Sequence, residues 1–138
     1  MSMRLEITRR AELAVRAMVV LGGAGGRLKA AALADELGTT AGFVPQVVGP
    51  LVKAGWVQSD PGPSGGYRSR AGLDDVSVLD VIEAVDGATD TGRCVVEGHP
   101  CGEGVPCSLH VAWTRARSEL LRVLGDTALS DVVTGAPR

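Results

Sequence analysis

Residues 60–66 read Asp60-Pro61-Gly62-Pro63-Ser64-Gly65-Gly66. Two prolines and three glycines in seven positions exclude both helix and interior strand, so the chain must turn here. The flanking runs suit short strands: Gly55-Trp56-Val57-Gln58-Ser59 before the turn, and Tyr67-Arg68-Ser69-Arg70 after it. Together they predict a β-hairpin. A two-stranded hairpin is marginal in water and needs a neighbour to lie on. What precedes this one is helical.

Residues 9–21 place Leu13, Ala14, Ala17, Met18, Val20 and Leu21 at three-and-four spacing, which predicts a first helix. Gly22-Gly23 and Gly25-Gly26 are expected to stop it. A second helix is predicted over 29–37, with Ala32, Leu33 and Leu37 on one face and Gly38 as its cap. A third runs from about 41 to 54, burying Val44, Val47, Val48, Leu51 and Val52. Pro45 is tolerable in its first turn, whereas Gly49-Pro50 in mid-helix is expected to kink or break it. Helix, glycine-containing turn, helix is the layout of a helix-turn-helix, and a hairpin directly after the second helix of that motif is a wing. In that arrangement Thr39, Thr40, Ala41, Gly42 and Gln46 stand at the entering end of the helix that meets a DNA major groove. Gln46 can read adenine edges, and Thr40 can cap the helix or bind phosphate. Arg68 and Arg70 lie on the wing, beside the backbone. Arg4, Arg9, Arg10 and Arg16 decorate the first helix, where phosphate contact and a solvated face are both open.

Charge supports a basic reading head. Residues 1–70 carry nine Lys and Arg against five Asp and Glu, a net +4; residues 71–138 carry five against eleven, a net −6. That asymmetry fits a nucleic-acid-binding half joined to a sensing or assembly half, though ordinary surface variation also produces it. Aromatic residues are only 3% of the chain, so the core must be mostly Ala, Val and Leu. The N-terminus has no signal-peptide layout, and the longest apolar run is too short to span a membrane. A cytoplasmic protein is expected.

The second half opens with Ser77-Val78-Leu79-Asp80, a capping-box arrangement. The helix it starts carries Val78, Leu79, Val81, Ile82 and Val85 and ends at Gly87. A loop over about 88–107 holds all three cysteines of the chain, Cys94, Cys101 and Cys107, with His110 three residues further on. A long helix is expected over about 107–124, striped by Leu109, Trp113, Ala116, Leu120, Leu121 and Leu124. So wide a stripe on a solitary helix predicts packing against a second copy. A last short helix is expected at about 128–133. In a reducing compartment, clustered cysteines point to metal ligation or redox chemistry rather than a disulfide framework. Three cysteines and a histidine can hold zinc, and thiolates can equally hold an iron–sulfur cluster. His110 follows Cys107 by one helical turn, and the helix N-terminus favours the Cys107 thiolate. No Cys-x-x-Cys pair is present, against a thioredoxin-like oxidoreductase.

The order of these elements resembles the IscR/NsrR group of bacterial transcription regulators, the Rrf-two family. The carriers are Met3-Arg4-Leu5, Ala54-Gly55-Trp56-Val57, the wing ending Gly65-Gly66-Tyr67, the segment Val76–Gly87, and the cysteine loop followed by Cys107-Ser108-Leu109-His110-Val111-Ala112-Trp113. The resemblance implies a homodimeric winged-helix regulator in which Cys94, Cys101 and Cys107 hold a [2Fe–2S] or [4Fe–4S] cluster that controls operator binding. It offers two fourth ligands. His110 has the spacing of the IscR-like branch; Glu12 looks like the acidic residue early in helix one that the NsrR-like branch supplies from the partner subunit. His99 is a third, weaker candidate. The chain departs from the pattern in the wing, where many relatives carry an arginine just before the glycine and this sequence has Asp60-Pro61.

The sequence therefore predicts a mainly α fold with a small β wing. Residues 1–75 would be the DNA-binding domain and 76–138 the sensor and dimerisation region. The predicted function is a DNA-binding regulator sensing redox state, nitric oxide or iron–sulfur status. Zinc or bare thiols in the same scaffold are the first alternative. A metal-binding interaction module without operator binding is the second. No nucleophile–base pair, phosphate loop or paired carboxylates suggest an enzyme.

Overall fold

The computed structural model describes residues 7–89 and 108–132. Helix α1, Arg9–Ala24, is the central element and buries Ala11, Leu13, Ala14, Val15, Ala17, Met18 and Leu21. Thr8 caps it, its hydroxyl accepting from the Ala11 amide at 3.0 Å. The helix runs three residues past the predicted stop. Glycine in a helix costs about 1 kcal/mol by propensity, but a Cβ on Gly22 would lie 2.8 Å from Leu73. Close packing thus holds Gly22 in the helix, and the chain turns only at Gly25, which is left-handed at φ 73°.

Helix α2, Ala30–Leu37, ends at the left-handed Gly38, as expected. Helix α3, Val44–Lys53, starts three residues later than predicted. Residues 41–43 form a turn instead, with the Phe43 amide donating to the Thr40 carbonyl at 3.1 Å and to the Thr40 hydroxyl at 3.2 Å. Helix α3 continues through Pro50 rather than breaking there. Proline removes only the bond to the carbonyl four residues back, and Gly49 before it has no Cβ to clash with the ring. Val44, Val47, Val48 and Leu51 keep their buried face throughout.

Strands β1, Val57–Asp60, and β2, Gly66–Ser69, pair antiparallel with Asp60 opposite Gly66. Asp60 therefore belongs to the strand rather than to the turn. The hairpin is also pinned from outside. The amide of Leu28 donates to the Tyr67 carbonyl at 2.9 Å, and the Tyr67 amide returns a bond to Leu28 at 2.8 Å. The α1–α2 connection thus joins the two-stranded wing through a single isolated β-bridge.

Helix α4, Val78–Asp86, has the predicted capping box, with both reciprocal bonds of Ser77 and Asp80 at 3.0 Å. It packs on α1 and α3 through Val81 and Val85. Its far end is tied to the start of α1. Thr8 donates to the Asp86 carboxylate at 2.9 Å, and Arg10 donates to the Val85 carbonyl at 2.8 Å. A guanidinium at a helix C-terminus satisfies an orphan carbonyl and meets the negative end of the dipole.

Helix α5 spans His110–Asp126, displaced toward the C-terminus from the predicted 107–124, and buries no residue. Its half-covered side carries Trp113, Leu121 and Leu124, while Leu109, Ala116 and Leu120 of the predicted stripe are exposed. A single 3-10 turn, Leu129–Asp131, stands where the last short helix was expected. Leu129 is fully buried in the core under α1, worth about 1.5–3 kcal/mol. Bonds from Val78 to Thr127 at 2.9 Å and from Leu129 to Val76 at 3.0 Å hold it there.

Candidate nucleic-acid interface and metal ligands

The buried valines of α3 turn its opposite side outward. Thr40, Ala41, Gly42, Pro45, Gln46, Gly49 and Lys53 are exposed there, with Thr39 half-covered. These side chains are small except for Gln46 and Lys53, so a duplex groove could approach closely. Gln46 is the one amide able to make paired bonds to a base edge from this face. The Thr40 hydroxyl accepts from the Phe43 amide in the turn ahead of α3, which leaves its O–H free to donate.

On the wing Arg68 and Arg70 are both exposed. Arg68 does not stand alone. It donates to Gln58 at 2.9 Å, and Gln58 donates in turn to both oxygens of Asp60 at 3.0 and 3.2 Å. Asp60 also meets Arg27 from the α1–α2 connection, 3.0 Å from its Nε. Sequence reasoning missed Arg27, because its partners lie more than thirty residues away and no local pattern marks it. Arg4 lies outside the described residues.

Of the candidate metal ligands, Cys94, Cys101, Cys107 and His99 lie outside the described residues. His110 is the first residue of α5 and is half-exposed. Glu12 sits in the first turn of α1, its carboxylate 2.9 Å from Arg9 and 3.8 Å from Arg16. Among the described residues no three His, Cys, Asp or Glu side chains converge as a metal site. Both ion pairs of Glu12 use its Oε1 oxygen.

A helix-turn-helix with a paired wing and a long C-terminal helix, covered on one side only in part, defines a winged-helix DNA-binding protein. Residues 7–135 match the Rrf2 family model, described as an iron-dependent transcriptional regulator. The chain belongs to the Rrf2 family of transcription regulators. It is 30% identical over 132 residues to the regulator IscR of Vibrio parahaemolyticus, covering 94% of this chain and 78% of that one. Similar solved structures include CymR, the global cysteine regulator of B. subtilis, with TM-score 0.75 and 23% identity over 97% of this chain and 100% of that one. The oxidised form of Staphylococcus aureus CymR superposes with TM-score 0.73 at 24% identity, over 97% of this chain and 100% of that one. IscR of T. potens does so with TM-score 0.72 at 22% identity, over 92% and 85% respectively. The chain is thus a DNA-binding regulator rather than an enzyme. No helix among the described residues is long and apolar enough to cross a membrane.

Proposed function

We propose that this protein is a homodimeric repressor or activator whose grip on its operator is set by an iron–sulfur cluster on Cys94, Cys101 and Cys107. The observation that carries this reading is the tie between α4 and α1. The cysteine segment follows directly on α4, and Asp86 and Val85 at the end of α4 are bonded to Thr8 and Arg10 at the start of the DNA-binding half. A change at the cysteines would therefore act on an element already locked to the reading head. The family's description as iron-dependent supports iron over zinc. When bound, such a cluster supplies a centre that gains or loses electrons and reacts with small oxidants. The chain's own part is to hold it with three thiolates and either His110 or Glu12. A carboxylate there would be a weak ligand in competition with Arg9 and Arg16, which suits a displaceable one.

In this reading α3 enters the major groove with Gln46 foremost, Arg68 and Arg70 flank it on the wing, and Arg4 reaches the backbone. The dimer forms through α5. Its exposed apolar residues Ala112, Ala116, Leu120 and Val123, with Leu109 just ahead of the helix, fall at three-and-four spacing, the pattern of a helix made to pair with its copy. Binding to duplex DNA from upstream of its own gene should differ at least several-fold between anaerobic protein as isolated and protein stripped by a chelator. Equal affinity would remove the sensor role. A thiol-based reading is favoured by one observation, the likeness to CymR in an oxidised form. It predicts that stripped protein still answers to a thiol oxidant.

A further inference from the structure

Arg27 belongs to neither the helix-turn-helix nor the hairpin, yet its guanidinium lies on the wing. Its neighbour Leu28 is bonded through the backbone to Tyr67 of β2, which fixes this point of the α1–α2 connection against the hairpin. Its Nε stands 3.0 Å from Asp60 Oδ2, and its Nη1 donates to the Ser64 carbonyl in the hairpin turn at 3.0 Å. The Asp60 carboxylate also accepts from Gln58, whose amide oxygen accepts from Arg68 at 2.9 Å. Four side chains form one continuous run across the wing: Arg27, Asp60, Gln58, Arg68.

The run holds two guanidinium groups and one carboxylate. The acid is the better covered, 28% exposed against 43% for Arg27. Arg27 is thus the more open of the pair to an approaching polyanion. These contacts take one proton on Nε and one on Nη1 of Arg27, so part of its five-donor fork is left over. A planar fork with spare donors and a fixed direction suits phosphate oxygens and the acceptors of a narrow minor groove.

We propose that Arg27 is a DNA-contacting residue of the wing. Asp60 and the Ser64 carbonyl hold it so that Arg27 and Arg68 form a two-pronged basic head. Asp60 is then a positioning residue, and its charge does not oppose binding. The inference rests on the reading that the wing faces DNA.

The test measures affinity of the full chain for the duplex upstream of its own gene and for a scrambled duplex, across a salt series. Arg27→Ala should weaken operator binding about three- to tenfold and lower the logarithmic salt slope by about 0.9, the share of one phosphate contact. Its thermal unfolding midpoint should stay near that of the parent. Arg27→Gln keeps a hydrogen-bonding group without the charge and should lose the same slope, which covers the case of an alanine variant that fails to fold. Asp60→Asn should weaken operator binding while scrambled DNA is held as well or better, shrinking the ratio between them. Tighter binding to both duplexes alike would mean that Asp60 merely repels DNA, and would overturn the proposal. An unchanged salt slope for both Arg27 variants, with a reduced one for Arg68→Ala, would overturn it while leaving the wing on DNA. No effect from Arg27, Arg68 or Arg70 substitutions would instead sink the wing reading beneath it.

Discussion

Gly66 shows how much one residue can hold. It sits at φ 141°, and a Cβ there would come within 2.6 Å of the Leu28 carbonyl oxygen. The wing and the α1–α2 connection can share hydrogen bonds only because that side chain is missing. Gly66→Ala should therefore cost about 1–3 kcal/mol in denaturant unfolding, and an unchanged midpoint would contradict the close approach. The sequence marked Gly66 as a turn residue, whereas it opens strand β2 opposite Asp60, and a clash with a carbonyl 38 positions upstream leaves no local trace. The two fourth-ligand candidates differ at the same scale. Glu12 is already engaged by Arg9 and Arg16, whereas His110 stands at the opening of α5. Glu12→Ala and His110→Ala should shorten the lifetime of the visible chromophore unequally in air. If neither does, the ligand lies elsewhere.

Elements were legible wherever periodicity and capping decide them. The apolar faces of α1 and α3 and the capping box of α4 were all readable from spacing alone. Ser77→Ala, which removes the serine half of that box, should cost about 1 kcal/mol. Errors arose where a distant contact overrules a local preference. Gly22 stays helical because Leu73 packs on it, and α3 passes Pro50 because its valine face is anchored in the core. Leu129 is fully buried although nothing in its short segment marks it, since bonds to Val76 and Val78 deliver it to the core. The stripe on α5 proved to be two stripes, one half-covered and one open. Leu120→Glu combined with Val123→Glu should shift the protein toward monomer in sedimentation while leaving its helical circular dichroism intact. A dimer that survives both charges would move the interface off this face.

The whole molecule joins a basic half of net +4 to an acidic half of net −6. The described parts of both halves share one hydrophobic core. Arg10 and Thr8, from the first half, hold the C-terminal end of α4, and the cysteine segment leaves from that end. The reading head was visible in the sequence as a helix-turn-helix with a wing. The charged run across the wing was not, because Arg27, Asp60 and Arg68 come together only after folding. The three cysteines lie outside the described residues, and both zinc and iron suit three thiolates. The measurement that separates them most directly is the visible absorption spectrum of anaerobically purified protein, taken with its metal content. A cluster-bearing regulator should be brown, with broad thiolate-to-iron absorption and iron with acid-labile sulfide in every chain. A colourless protein carrying one zinc per chain would contradict the cluster reading.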